Sequence, residues 1–181
     1  EGFGWRSSLP SLSQVFSSCP TGLALPPRHK RRARRRPTST SESIDYHFCV
    51  LQLLGHHLST EADTWGLAQI AALLGANNAV HAKAYIDALV AKPGTGEQMK
   101  RLLSQCKGLY HRTLVMFLLV NDELKARRYA SAKEKVAETV ALLHQCDEAF
   151  VQASVRSPLT KQSADSVQLA IICTAITNLI K

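Results

Sequence analysis

Residues 99–150 read MKRLLSQCKGLYHRTLVMFLLVNDELKARRYASAKEKVAETVALLHQCDEAF, and their pattern decides the fold. Met99, Leu102, Cys106, Leu109, Thr113, Phe117, Val120 and Leu124 step by three or four, the spacing that places side chains on one face of a helix. Tyr129, Ala132, Val136, Val140, Leu143, Cys146 and Phe150 repeat that spacing. Only Lys125-Ala126-Arg127-Arg128 is left to connect them, so the two predicted helices are antiparallel neighbours. Cys106 lies 20 residues before Ala126, and Cys146 lies 20 residues after it. At a rise of ~1.5 Å per residue both sit about 30 Å from the turn. They face each other at one height from two apolar stripes, which is the placement a disulfide needs. Closing a loop of this size stabilises a fold by roughly 4 kcal/mol on the chain-entropy account, and such a bridge implies an oxidising compartment. The competing reading, two buried free thiols in a cytosolic core, does not explain the symmetry.

Two further stripes flank this hairpin. Before it, Leu67, Ile70, Leu74, Asn78, His81, Tyr85 and Leu89 keep a helical period until Lys92-Pro93-Gly94-Thr95-Gly96 breaks it. After it, Ser157-Pro158 interrupts the pattern, and Ser166, Leu169, Cys173, Ile176 and Ile180 resume it. Upstream, an apolar piece from Ile44 ends near Gly55, and Ser59-Thr60-Glu61-Ala62-Asp63 offers caps for the next helix. No segment alternates with period two. The expectation is an all-α chain: an antiparallel up-down-up-down four-helix bundle over 64–181, preceded by a short helical segment at 44–60, in one domain 44–181. Residues 1–43 are rich in Arg, Ser and Pro without any period, the composition of a disordered tail.

The net charge of +8 over 181 residues belongs to that tail. Residues 1–40 carry eight basic side chains against Glu1 alone, while the remaining 141 residues carry 14 basic and 13 acidic ones. The predicted bundle is therefore close to neutral and does not look like a nucleic-acid binder. The run Arg28-His-Lys-Arg-Arg-Ala-Arg-Arg-Arg36 reads either as a solvated tail or as a nuclear-localisation or nucleic-acid patch. No apolar run approaches the ~18 residues of a membrane span. Residues 1–25 show no basic stretch followed by an apolar one, so no signal peptide is expected within them.

Catalytic signals are missing. His56-His57 are adjacent and cannot share a helix face, and His144 and Cys146 form a lone pair without a ligand cluster, so no metal is expected. Gly94-Thr95-Gly96 follows a helix and lacks the Lys-Ser/Thr of a phosphate loop. There is no nucleophile elbow, and Cys173 sits on an apolar stripe as a core residue would. The reading is a protein that binds rather than catalyses, with no cofactor.

Cys106-Lys-Gly-Leu-Tyr110 resembles the C-x-x-x-Y opening the second bundle helix of plant invertase and pectin methylesterase inhibitors. Cys146-Asp-Glu-Ala-Phe150, Ser157-Pro158-Leu159, Gln168-Leu-Ala-Ile-Ile172, Ala175-Ile176 and Ile86-Asp-Ala-Leu89 resemble other parts of that family in order and spacing, over roughly Tyr46 to Lys181. The resemblance implies a four-helix bundle behind a helical hairpin, with one disulfide in the hairpin and one, Cys106–Cys146, joining the second and third bundle helices. Cys49 resembles the second hairpin cysteine. The segment that usually supplies its partner reads Thr38-Ser-Thr-Ser-Glu-Ser here, which leaves Cys19 as the candidate.

By the same resemblance the protein is a secreted inhibitor acting in the cell wall or vacuole, and its partner is a carbohydrate-active enzyme, pectin methylesterase or acid invertase, bound at the active-site cleft. Invertase inhibitors of the family carry Pro-Lys-Phe at the hairpin turn, where this chain has Arg127-Arg128-Tyr129: the cation and aromatic are kept and the proline is not. The family's pectin methylesterase inhibitors instead lay bundle helices across the pectin cleft, and many have a tyrosine at the position of Tyr129. Lys125, Arg127, Arg128 and Tyr129 are thus the target-binding candidates, with electrostatic steering toward an acidic cleft. Tyr129 also continues the apolar period, so it reads equally as a core residue. Two rival readings stand beside the inhibitor: a non-inhibitory extracellular bundle, and an intracellular or nuclear adaptor using the basic tail.

Overall fold

In the computed structural model, which describes residues 44–180, each helix begins and ends where backbone chemistry asks for it. Asp45 opens α1 (Tyr46–Leu54) by accepting from the Phe48 amide at 3.0 Å, and Gly55 closes it. Asp63 opens α2 (Thr64–Ala91) by accepting from the Gly66 amide at 2.7 Å. Such carboxylates satisfy first-turn amides that the helix leaves without partners. Helix α3 (Glu97–Lys125) follows Gly96, α4 (Tyr129–Gln152) follows the turn 126–128, and α5 (Thr160–Leu179) follows Leu159. No strand occurs among the described residues. Residues 1–43, with the expected tail, the basic run and Cys19, lie outside them.

Helices α2 to α5 form the up-down-up-down bundle, α2 and α4 each packing on both α3 and α5. Helix α1 packs on α2 and α5, and the Asp45 amide donates to Gln168 Oε1 at 3.0 Å. The ends of α3 and α4 are built alike. The Arg128 amide donates to the Glu123 carbonyl and the Arg127 amide to that of Leu124; the Val155 amide donates to Phe150 and the Ser154 amide to Val151. These paired closures are Schellman motifs, and they put Arg127 (φ 59°) and Ser154 (φ 53°) in the left-handed conformation that glycine usually supplies.

The buried side chains form two groups along the bundle. One surrounds Cys106 and Cys146, with Ile86, Leu103, Tyr110, Leu143, Phe150 and Leu159. Cys106 and Cys146 are disulfide-bonded, with Cα atoms 5.0 Å apart. The other group lies toward the α3–α4 turn and holds Cys49, Leu53, Leu67, Phe117, Leu124, Val136, Ile172, Cys173 and Ile176. Cys173 is a free thiol, wholly buried 3.6 Å from the Ala68 carbonyl, and burial pushes its pKa up to about 12.

The stripe expected on α2 is corrected in its second half. Leu67 and Ile70 are buried, but beyond them the core face runs through Ala72, Gly75, Ala76, Ala79, Ala82 and Ile86. Asn78 is half-buried, and His81 and Tyr85 are exposed. The reason is volume. The ring of Phe117 lies flat on the backbone of α2, and a Cβ built on Gly75 would fall 2.4 Å from Phe117 Cε1. Small residues let α2 and α3 approach, so here the apolar stripe of α2 is written in alanine and glycine, which a search for large side chains passes over.

Candidate functional site

The α3–α4 turn and the start of α2 meet at one end of the bundle. Antiparallel packing brings Trp65, in the first turn of α2, beside the last turn of α3, and its indole Nε1 donates to the Leu124 carbonyl at 2.8 Å. That carbonyl also accepts from the Arg127 amide at 3.0 Å, so the indole fills its second lone pair. The indole supports the turn from below, while the guanidinium of Arg127 stacks over the ring with its Cζ 4.1 Å from a ring centroid. Arg127 Nη1 also donates to the Tyr129 hydroxyl at 3.1 Å. A cleft of about 360 Å³ opens here, lined by Asp63, Thr64, Trp65, Arg127, Leu179 and Ile180.

The other candidates are placed differently. Arg128 grips Glu123 through two hydrogen bonds of 2.6 and 3.1 Å, Nε to one carboxylate oxygen and Nη2 to the other. The hydrogen bond from Arg128 holds the Glu123 carboxyl below its ordinary pKa, and Glu123 in turn raises that of Arg128. Lys125 is exposed, 3.7 Å from Asp122. Tyr129 combines both sequence readings: it is half-buried against the core group beneath the turn, and its hydroxyl reaches out to Arg127. The steering expectation is reduced accordingly, because Asp122 and Glu123 offset two of the three cations. Cys49 is buried in α1 and disulfide-bonded; its candidate partner Cys19 lies outside the described residues.

Sequence reasoning missed Trp65 and Glu123. No period or motif in the sequence points to Trp65; the packing of α2 on α3 brings it to the turn. Among the described residues no group of three or more His, Cys, Asp or Glu side chains is placed to hold a metal ion.

The profile described as "Plant invertase/pectin methylesterase inhibitor" matches residues 38–176. The chain belongs to that family. Pectinesterase inhibitor 8 of Oryza sativa subsp. japonica is 45% identical over 154 residues, covering 82% of this chain and 81% of that protein. Pectinesterase inhibitor 12 of the same species is 33% identical over 144 residues, covering 78% and 69%. A protein of Platanus orientalis named "Putative invertase inhibitor" is 30% identical over 152 residues, covering 83% and 86%. The helical bundle and the Cys106–Cys146 bridge agree with what the resemblance implied.

Proposed function

We propose that this protein is a proteinaceous inhibitor of pectin methylesterase that docks as a preformed body on the enzyme's active-site cleft. The observation that carries this is the 45% identity to Pectinesterase inhibitor 8 over 82% of this chain and 81% of that protein. Physical features support it. A bundle clipped by Cys106–Cys146 loses little conformational freedom on binding. Its hairpin end offers a rigid contact of Arg127, Tyr129 and Trp65, flanked by Lys125 and Arg128. Arg127 holds the left-handed position of the Schellman turn, at a cost of ~1–2 kcal/mol relative to glycine, as Ser154 does at the end of α4. The disulfide suits an extracellular site of action in the cell wall, with Cys19 as the proposed partner of Cys49. No helix among the described residues is long and apolar enough to cross a membrane.

Titration of purified pectin methylesterase and acid invertase with the full chain tests the reading. The expected result is stoichiometric loss of pectin methylesterase activity with invertase unaffected. Inhibition of invertase alone would replace the target, and activity of both enzymes at micromolar inhibitor would overturn the inhibitor reading.

A further inference from the structure

One face of α3 is left over by the bundle. Gly108, Arg112, Val115, Leu119 and Asp122, with the cap residue Ala126 just past the end of α3, recur at steps of four and three, and all six are exposed. Val115 is 41% exposed and Leu119 37%, with Leu118 at 44% beside them. On the neighbouring α2, Leu73 and Val80 are exposed as well. Three large aliphatic side chains within five residues of one helix make a patch rather than the scatter expected of an ordinary surface.

The positions along this face are symmetric about the level of Phe117, with opposite charges at equal distances. Val115 and Leu119 lie two positions on either side of it, Arg112 and Asp122 five, and Gly108 and Ala126 nine. We propose that this face is a self-association surface taking a second copy of the chain, antiparallel, about a two-fold axis at Phe117. In that arrangement Val115 meets the partner's Leu119, Arg112 meets the partner's Asp122, and Gly108 meets the partner's Ala126. Each contact occurs twice. A two-fold interface must be complementary to itself, and an apolar centre with opposite charges equidistant on either side fulfils that condition.

Gly108 adds an independent observation. It stands inside α3, where glycine costs about 1 kcal/mol relative to alanine. A Cβ there would meet nothing within 4 Å, so packing within one chain does not require a glycine. Close approach of a second helix does. The charges are available too: Arg112 is exposed, and Asp122 is held only by Lys125 at 3.7 Å. The stripe spans about 27 Å of one helix, well short of a standard interface, so the dimer is weak and concentration-dependent.

Sedimentation velocity of the full chain from micromolar to millimolar concentration tests this without reference to any enzyme. The expected result is a monomer–dimer equilibrium that weakens as salt screens the rim pairs. Arg112→Asp and Asp122→Arg each place like charges opposite one another at both ends and weaken dimerisation at least about tenfold. The double variant R112D/D122R restores it, which an unrelated effect on folding would not do. Leu119→Arg abolishes dimers while leaving the helical circular dichroism unchanged. A monomer at every concentration, or a double variant no better than the single ones, would overturn the proposal. So would a Leu119→Arg chain that still dimerises, or a wild-type monomer whose inhibition alone is lost on Leu119→Arg, since the face would then belong to the target.

Discussion

The two ends of the bundle are held together by different means. Around Cys106 and Cys146, helices α3 and α4 are joined covalently inside a group of large side chains that includes Tyr110, Phe150 and Leu159. The Tyr110 hydroxyl is buried there, and burial first, then Asp147 and Asp165, raises its pKa and keeps it neutral. About 30 Å away along the helices, the hairpin end relies on an indole hydrogen bond, a stacked guanidinium and an arginine–carboxylate pair, with the close fit of Phe117 on Gly75 lying between the two ends. One end fixes the register of the hairpin irrespective of what the turn carries. The turn is thereby free to hold residues that serve contact more than folding.

The largest effect is expected where the comparison puts the covalent load. Cys106→Ser with Cys146→Ser should lower unfolding free energy by about 4 kcal/mol in urea titrations, from the loop entropy of 40 residues of separation. A loss below ~1 kcal/mol would mean that side-chain packing, rather than the bridge, holds that end. Next comes Gly75→Ala. Alanine gains about 1 kcal/mol in helix propensity, but its methyl would lie 2.4 Å from Phe117 Cε1, an overpacking cost of typically ~1–3 kcal/mol. A net loss of up to about 2 kcal/mol is expected from thermal unfolding, recovered in part by adding Phe117→Leu. A stabilised Gly75→Ala chain would show that the ring moves aside without cost.

The same contrast explains what could be read in the sequence. The clipped end was legible because a disulfide between antiparallel helices obeys arithmetic: Cys106 and Cys146 are equidistant from the turn. Large side chains at regular spacing also gave α3, α4 and α5. The hairpin end was legible only in part. Lys125, Arg127, Arg128 and Tyr129 are adjacent in sequence, so their nearness needed no structure. Trp65 is 62 residues before Arg127, and no period or motif links them; only the packing of α2 on α3 does. The alanine and glycine face of α2 was misread toward Asn78, His81 and Tyr85 for a related reason. Hydrophobic periodicity weights side chains by size, whereas close helix approach selects small ones. The Arg128–Glu123 pair depends on the Schellman turn bringing the chain back over α3, a geometry set by the left-handed Arg127.

Changes at the hairpin end should cost less stability and more function. Trp65→Phe removes the hydrogen bond to the Leu124 carbonyl and weakens the cation stack, for an expected loss of about 1–2 kcal/mol. Arg127→Gly should change stability by under ~0.5 kcal/mol, because relief of the left-handed backbone offsets the lost stacking. If Arg127 touches the target, the same variant weakens inhibition roughly tenfold or more, as loss of a central arginine does elsewhere. Unchanged inhibition would remove the turn from the contact surface.

Glu123→Gln is the mildest test and is read through pH. Arg128 depresses the folded-state pKa of Glu123, so the unfolded chain takes up its proton first as pH falls. The stability this carboxylate contributes is therefore present above the ordinary carboxylate range and lost as pH falls through its folded value. The melting temperatures of wild type and Glu123→Gln should differ slightly at neutral pH and converge in strong acid. Arg128 is exposed and Glu123 only partly covered, so solvent screens the pair and the difference is small. A gap that widened in acid would contradict the sign and show that the arginine–carboxylate grip does not help to hold the turn. A gap as large as that of the cysteine variant would break the contrast between the two ends.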